Sequence, residues 1–149
     1  MDPVAEPLSL ADRLEIRELI ARYNWAIDTR DGVGVADTFV ADGVFDGGRI
    51  FRGREELIAF GELRDRPPAQ PGTGSQHWVT NLVFEGNHSR VRLKSFFIRH
   101  NIENGVVKST NLGYYRDVVV NVEGRWLFER RRWRLWPPSD EDSTLEAER

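Results

Sequence analysis

Apolar residues recur at helical steps in the first third of the chain and at the shorter rhythm of strands in the second half. Ile16, Ile20, Tyr23 and Ile27 follow one another at steps of four, three and four, which is one face of a helix, and Leu19 widens the stripe. Ser9 with Asp12 three residues later is a helix start of the capping-box type. The pattern predicts a short second helix over Val33–Val40, a small hairpin over Gly43–Phe51 around Gly47-Gly48, and a third helix over Glu55–Arg64. Pro67–Gly74 is rich in proline and glycine and reads as a loop.

From Gln76 onward the pattern changes in kind. Gln76–Glu85, His88–Ile102, Val106–Val122 and Arg125–Trp136 are long segments rich in Val, Phe, Tyr and Trp. Gly86-Asn87, Asn104-Gly105 and Glu123-Gly124 separate them, and such short connections predict an antiparallel meander. Helices followed by a curved sheet make an α+β domain in which the helices cover one sheet face and close a cavity. The reading therefore divides the chain into an extension (residues 1–8), one domain (9–136) and an acidic, disordered tail (137–149).

Composition removes several function classes. The chain has 149 residues, the size of one domain, and no cysteine, which excludes disulfides, thiol nucleophiles and thiolate metal sites. The net charge is −3, but the tail holds five acids and one base. Removing those from the totals of 24 acids and 21 bases leaves 19 acids against 20 bases. A nearly neutral body argues against a nucleic-acid partner. No apolar run reaches the roughly 18 residues that cross a bilayer, and residues 1–7 lack the basic-then-apolar pattern of a secretory leader, so the expected location is cytoplasmic. His77, His88 and His100 are the three histidines, and no cluster has zinc-ligand spacing. No glycine-rich phosphate loop follows a strand. No metal or cofactor is expected.

Four places carry candidate chemistry. Asp28 stands where the apolar face of the first helix would continue past Ile27. His77 opens a strand, and by the two-residue period shares a face with Val79, Asn81 and Val83. Ser109, Asn111 and Tyr115 fall on one face of the next long strand but one. Arg130, Arg131, Arg132 and Arg134 crowd the last strand, and a charge run of that kind is mostly solvated. Trp25, Trp78, Phe84, Phe96, Phe97 and Tyr115 are available as aromatic walls for a flat substrate, or as ordinary core.

Taken together, these residues resemble a known family. Tyr23–Asp31 (YNWAIDTRD) and Gln76–Asn81 (QHWVTN) look like the SnoaL-like branch of the nuclear transport factor 2-like superfamily. Within it, Ser109, Asn111, Leu112, Tyr115, Gly124 and Trp126 resemble the Ser-x-Asn-Leu-x-x-Tyr and Gly-x-Trp pattern of scytalone dehydratase. The resemblance implies a cone-shaped barrel of curved antiparallel or mixed sheet around a central pocket. It also implies a dyad in which Asp28 orients His77 and His77 moves a proton as general base and acid. Histidine suits that role because its ordinary pKa, about 6.5, lies near neutrality. Ser109, Asn111 and His100 match substrate-holding positions, Tyr23 matches a polar residue five before the Asp, and Arg131 matches a strand arginine. By strict alternation His100 falls with Arg92 and Lys94, and a bulge within Phe96–Ile98 would turn it inward. Arg131 is out of step with Trp126 and Phe128 in the same way. The two tyrosines that polarise the substrate carbonyl in scytalone dehydratase are replaced by Ile27 and Gly47.

The implied function is a cofactor-independent lyase, a dehydratase acting on a cyclic or aromatic hydroxy-carbonyl compound. The same pocket would serve an isomerase or a polyketide-type cyclase. A third reading is a binding module like the small subunit of ring-hydroxylating dioxygenases. Pairing or trimerisation through the sheet face away from the pocket is expected.

Overall fold

The computed structural model describes residues 6–63 and 70–139. Its elements are α1 (Leu10–Asp28), α2 (Gly32–Asp37), β1 (Phe39–Asp46), β2 (Ile50–Arg52), α3 (Gly53–Glu62), β3 (Gly74–Gly86), β4 (Arg90–Glu103), β5 (Val106–Val122) and β6 (Arg125–Leu135). The strands form one mixed sheet in the order β2-β1-β6-β5-β4-β3, left open, with the three helices completing a cone-like α+β fold. Part of the expected loop, the start of the extension and the acidic tail from residue 140 lie outside the described residues.

α1 forms where the sequence pattern places it. Its Ser9 hydroxyl accepts from the Asp12 backbone N–H (3.1 Å), and the Asp12 carboxylate accepts from the Ser9 N–H (2.9 Å), closing the capping box. Its stripe of Ile16, Leu19, Ile20, Tyr23 and Ile27 is buried in the core. Packing of such a face, at about 1.5–3 kcal/mol for each large apolar side chain, holds the helix in place. Asp28 is its last residue, so the buried stripe ends on a carboxylate.

The second helix is shorter than the pattern predicts. It ends at Asp37, and Phe39 and Val40 begin β1. The competing force is strand pairing: β1 runs parallel beside β6, opposing Phe39 to Phe128, and the Phe128 N–H donates to the Thr38 carbonyl at 2.8 Å. The predicted hairpin exists as β1 and β2, but the parallel partner lies 86 to 89 residues away and no local turn signal announces it. The four long strands appear as the expected antiparallel meander.

Within the antiparallel meander, three bulges decide which side chains face the helices. One in β3 between Thr80 and Val83 carries Asn81 at φ 57°, one in β5 skips Thr110, and one in β6 skips Glu129. Each inserts a residue and swaps the faces beyond it.

The base of the cone is tied by Asp12. Besides Ser9, its carboxylate accepts from Trp126 Nε1 (3.1 Å) and pairs with His88 Nδ1 (3.0 Å). Burial alone would raise this carboxyl, but the hydrogen bonds from His88, Ser9 and Trp126 outweigh it and hold it well below the usual carboxylate range. A depressed carboxyl stabilises the fold above its unfolded pKa, near 3.8, and that contribution is lost as pH falls through the folded value. His88 is raised, chiefly by the Asp12 hydrogen bond, so its contribution is complete below 6.5 and lost as pH rises through its folded value. The expected result is that Asp12→Asn flattens the acid limb of a melting-temperature profile below pH 4, and His88→Gln flattens the limb above 6.5. Unchanged limbs in both variants would contradict this account.

Candidate active site

Asp28 and His77 meet where the end of α1 reaches the start of β3. The His77 backbone N–H donates to Asp28 Oδ2 at 2.8 Å, and His77 Nδ1 lies 2.6 Å from Asp28 Oδ1. A carboxylate only accepts, so the ring proton sits on Nδ1 and Nε2 keeps the available lone pair. Two bonds from one carboxylate fix both the backbone and the ring plane of His77. Each side chain is mostly but not wholly covered.

His77 lies on the wall of a cavity of about 510 Å³. That is the size of a site for a small organic molecule. Tyr23 and Ile27 line it from α1, Phe45, Gly47, Arg49 and Phe51 from the β1–β2 hairpin, and Phe60 from α3. The sheet contributes Phe97, Arg99, Asn111, Tyr115 and Trp133. Phe45 and Phe60 stack at 4.2 Å between centroids, and Phe97 packs on Tyr115 at 4.9 Å and on His77 at 6.2 Å. These walls are apolar and flat.

Gly113 makes room for one of them. A Cβ there would collide with the Phe97 ring and the Arg134 carbonyl. Gly113→Ala is expected to cost about 1–3 kcal/mol in urea unfolding and to weaken ligand binding in the cavity. Unchanged stability would show that Phe97 moves freely.

Behind the cavity wall lies a buried ion pair. Arg131 is 0 % exposed and its NH1 donates to Asp117 Oδ2 at 3.2 Å. Its guanidinium carbon sits 3.7 Å from the Tyr115 ring centroid, 4.4 Å from Tyr23 and 4.7 Å from Phe128. Burial pushes the Asp117 carboxyl up to about 7 against the opposing charge of Arg131. Burial also raises both phenols, so Tyr23 and Tyr115 remain hydroxyl donors.

Of the residues singled out in the sequence, Tyr23, His77, Phe97, Asn111 and Tyr115 line the cavity, with Asp28 behind His77. Others are placed elsewhere. The β3 bulge turns Asn81 outward and brings Leu82 and Phe84 inward, so Asn81 and Val83 do not share the His77 face. Trp78 is 61 % exposed on the outer face, edge-on to His100 at 4.6 Å. His100 also faces outward, because β4 alternates regularly through Phe97 and the nearby bulge falls in β5 instead. That bulge, at Thr110, separates Ser109 from Asn111: Ser109 Oγ meets His100 Nδ1 at 3.0 Å outside, and Asn111 turns inside. Arg131 does turn inward, through the bulge at Glu129, but Tyr23 and Tyr115 stand between it and the cavity. Among the aromatic candidates, Trp25 and Phe96 are exposed, and Phe84 packs on the core under Arg13.

The sequence reading missed Asp117, Arg99, Arg49 and the ring set Phe45, Phe51, Phe60 and Trp133. Arg99 was legible, since the alternation that puts His100 outside puts Arg99 inside with Phe97. The hairpin and α3 rings were not, because their approach depends on the parallel β1–β6 pair. Among the described residues, no three of His, Asp and Glu are clustered as a metal-ligand set. No helix of the described residues is long and apolar enough to cross a membrane.

Residues 8–132 match the SnoaL-like domain family. The chain belongs to the SnoaL-like family. It lies within the nuclear transport factor 2-like superfamily, and SnoaL-like proteins include dehydratases, isomerases and polyketide cyclases. A Nostoc punctiforme protein of unknown function with a cystatin-like fold is 26 % identical, covering 91 % of this SnoaL-like chain and 98 % of its own, with a TM-score of 0.76. An Asp-to-Asn variant of Rv3472 from Mycobacterium tuberculosis, of unknown function, is 27 % identical over 90 % of this chain and 76 % of its own, with a TM-score of 0.75. A candidate scytalone dehydratase from Novosphingobium aromaticivorans shares the fold at 21 % identity, 88 % coverage of each chain and a TM-score of 0.70. No curated protein matches the sequence.

Proposed function

We propose that this protein is a cofactor-independent acid–base enzyme that eliminates water from a cyclic or aromatic hydroxy-carbonyl compound. The observation that carries this is the Asp28–His77 pair, 2.6 Å apart, on the wall of an aromatic cavity. His77 Nε2 takes the proton from the carbon next to the carbonyl. The C–H electron pair moves toward the carbonyl and leaves an enolate. The resulting imidazolium, held by Asp28, returns the proton to the hydroxyl at the β carbon, which departs as water while the C=C bond forms and the carbonyl is restored. Asp28 holds the tautomer and stabilises the cation, as the third member of a serine-protease triad does. Tyr23, Tyr115 and Asn111 are the neutral polar groups that orient the substrate.

A second reading uses the same proton transfer for isomerisation or cyclisation. It is supported by Ile27 and Gly47, which sit on the cavity wall in place of the tyrosines that polarise the substrate carbonyl through water in scytalone dehydratase. The test is a panel of β-hydroxy tetralones and naphthalenones followed by the absorbance of the conjugated product. Water loss that depends on His77 supports the dehydratase. Rearrangement without water loss moves the reaction to the second class, and no His77-dependent change in any member removes both.

Assembly is part of the same reading. Trp78, Phe96, Leu112 and Trp136 are exposed on the outer sheet face, which supports pairing with further copies of this chain. Light scattering is expected to give a dimer or trimer, and a monomer at micromolar concentration would contradict it.

A further inference from the structure

We infer that Arg99 is the electrophile of this site, binding the oxygen that becomes negative during proton transfer. The inference rests on the acid–base reading above and adds the partner that such chemistry requires. A base that removes a proton beside a carbonyl gains little unless something receives the charge on oxygen. The residues at 27 and 47 are isoleucine and glycine and offer nothing to it.

The sheet register supplies a candidate. His77 on β3 is the cross-strand partner of Arg99 on β4, and Arg99 is the partner of Asn111 on β5. All three line the same cavity. Cross-strand partners on one face hold their Cβ atoms about 5 Å apart. The row therefore runs base, cation, amide across neighbouring strands of one sheet. The β5 bulge at Thr110 is what brings Asn111 into the row. Phe97, two residues before Arg99 on the same face, forms the adjoining flat wall beside His77.

The charges balance through the reaction. Before proton transfer the site holds the Asp28 carboxylate and the Arg99 guanidinium. Afterwards it holds these two with an imidazolium and an enolate, so the net charge is unchanged. The enolate oxygen lies between two cations, with Arg99 supplying N–H donors and Asn111 its amide N–H. A guanidinium stays charged at any working pH and offers donors in a fixed fork. The ligand class that follows is a flat ring bearing an oxygen that is anionic or becomes so: an enolate, a phenolate or a naphtholate. Arg49, which also lines the cavity and has its guanidinium 4.8 Å from the Phe51 ring centroid, adds positive charge from the β1–β2 hairpin.

The test uses 4-nitro-1-naphthol, whose visible absorbance reports its ionisation. Titrated with saturating protein, the bound dye is expected to ionise at least one pH unit below the free dye. That corresponds to about ten- to hundredfold preference for the anion, the range of a hydrogen bond to a charged group. Arg99→Gln should abolish the shift, and Arg99→Lys should keep part of it, which separates charge from folding defects. No downshift in the wild-type protein, an undiminished shift in Arg99→Gln, or no binding at millimolar dye would each overturn the inference. Exchange of the α-protons of 2-tetralone in D2O reads His77 separately. If exchange is lost in His77→Gln while the dye shows no Arg99-dependent shift, Arg99 is rejected and the acid–base reading stands. If the shift depends on Arg99 but no exchange occurs, the anion site stands and the acid–base reading falls.

Discussion

Replacing His77 with glutamine is expected to lower turnover by about 10²–10⁴-fold, the usual worth of one positioned acid–base group, with little change in substrate affinity. Glutamine fills the space of the imidazole and can donate to Asp28, but cannot carry a proton between carbon and oxygen. Asp28→Asn tests the other half. Its amide carbonyl can still accept from the His77 backbone N–H, so the strand start survives. The ring then loses the carboxylate that fixes Nδ1–H and stabilises the imidazolium, and the turnover loss should approach that of His77→Gln. The double variant should lose little more than either single one, because the two residues act as a unit. Steady-state kinetics on any substrate found in the hydroxy-carbonyl panel measures all three. Independent, multiplicative losses would show that Asp28 and His77 do not cooperate.

The second large effect is on stability. Arg131 and Asp117 are both completely buried, and each is the other's counter-charge. Removing Asp117 strands the Arg131 charge among aromatic rings, and removing Arg131 leaves the buried Asp117 carboxyl without its donor, so Asp117→Leu and Arg131→Met should each cost about 3–5 kcal/mol. Combining them removes both charges and should recover most of that loss, since an apolar pair of similar volume packs as well. The raised Asp117 carboxyl adds a pH signature. A carboxyl whose folded pKa is about 7 stabilises the fold most below its unfolded value of 3.8, and that contribution is lost as pH rises toward 7. Urea midpoints of the wild type and the Asp117→Leu variant across pH 4–8 check both points. Additive losses in the double variant would mean the pair contributes no coupling. Because Tyr23 and Tyr115 contact Arg131 on one side and the cavity on the other, the single variants should also loosen ligand binding.

Much of this architecture was legible in the sequence because it is local. The helical stripe of α1, its capping box and the turn signals between long strands each depend on residues within about ten positions. Asp28 was legible as a carboxylate ending an apolar stripe, and His77 as a polar residue on a core-facing strand. What was hidden is non-local. The parallel β1–β6 pair joins residues 86 to 89 positions apart, and it places Phe45, Phe51 and Phe60 over the cavity. The bulges were hidden for a different reason. A single inserted residue reverses every facing beyond it, and nothing in Thr80–Asn81, Thr110 or Glu129 announces the insertion. Hence strict alternation placed Asn81 inside and paired Ser109 with Asn111, whereas the register separates them. For Arg131 the same device worked the other way, turning inward a residue that alternation put outside. Asp117 escaped notice because an acid among valines reads as an outward residue until its buried partner is known.

The most direct measurement of the central claim is deuterium incorporation at the α carbon of 2-tetralone, followed by proton NMR in D2O with the wild-type protein, His77→Gln and Asp28→Asn. Exchange above the buffer rate is expected with the wild type, and loss to near that rate in both variants. Exchange that is equal in all three proteins, or no exchange from a ketone shown to occupy the cavity, would contradict the assignment of Asp28 and His77 as a proton-transferring pair.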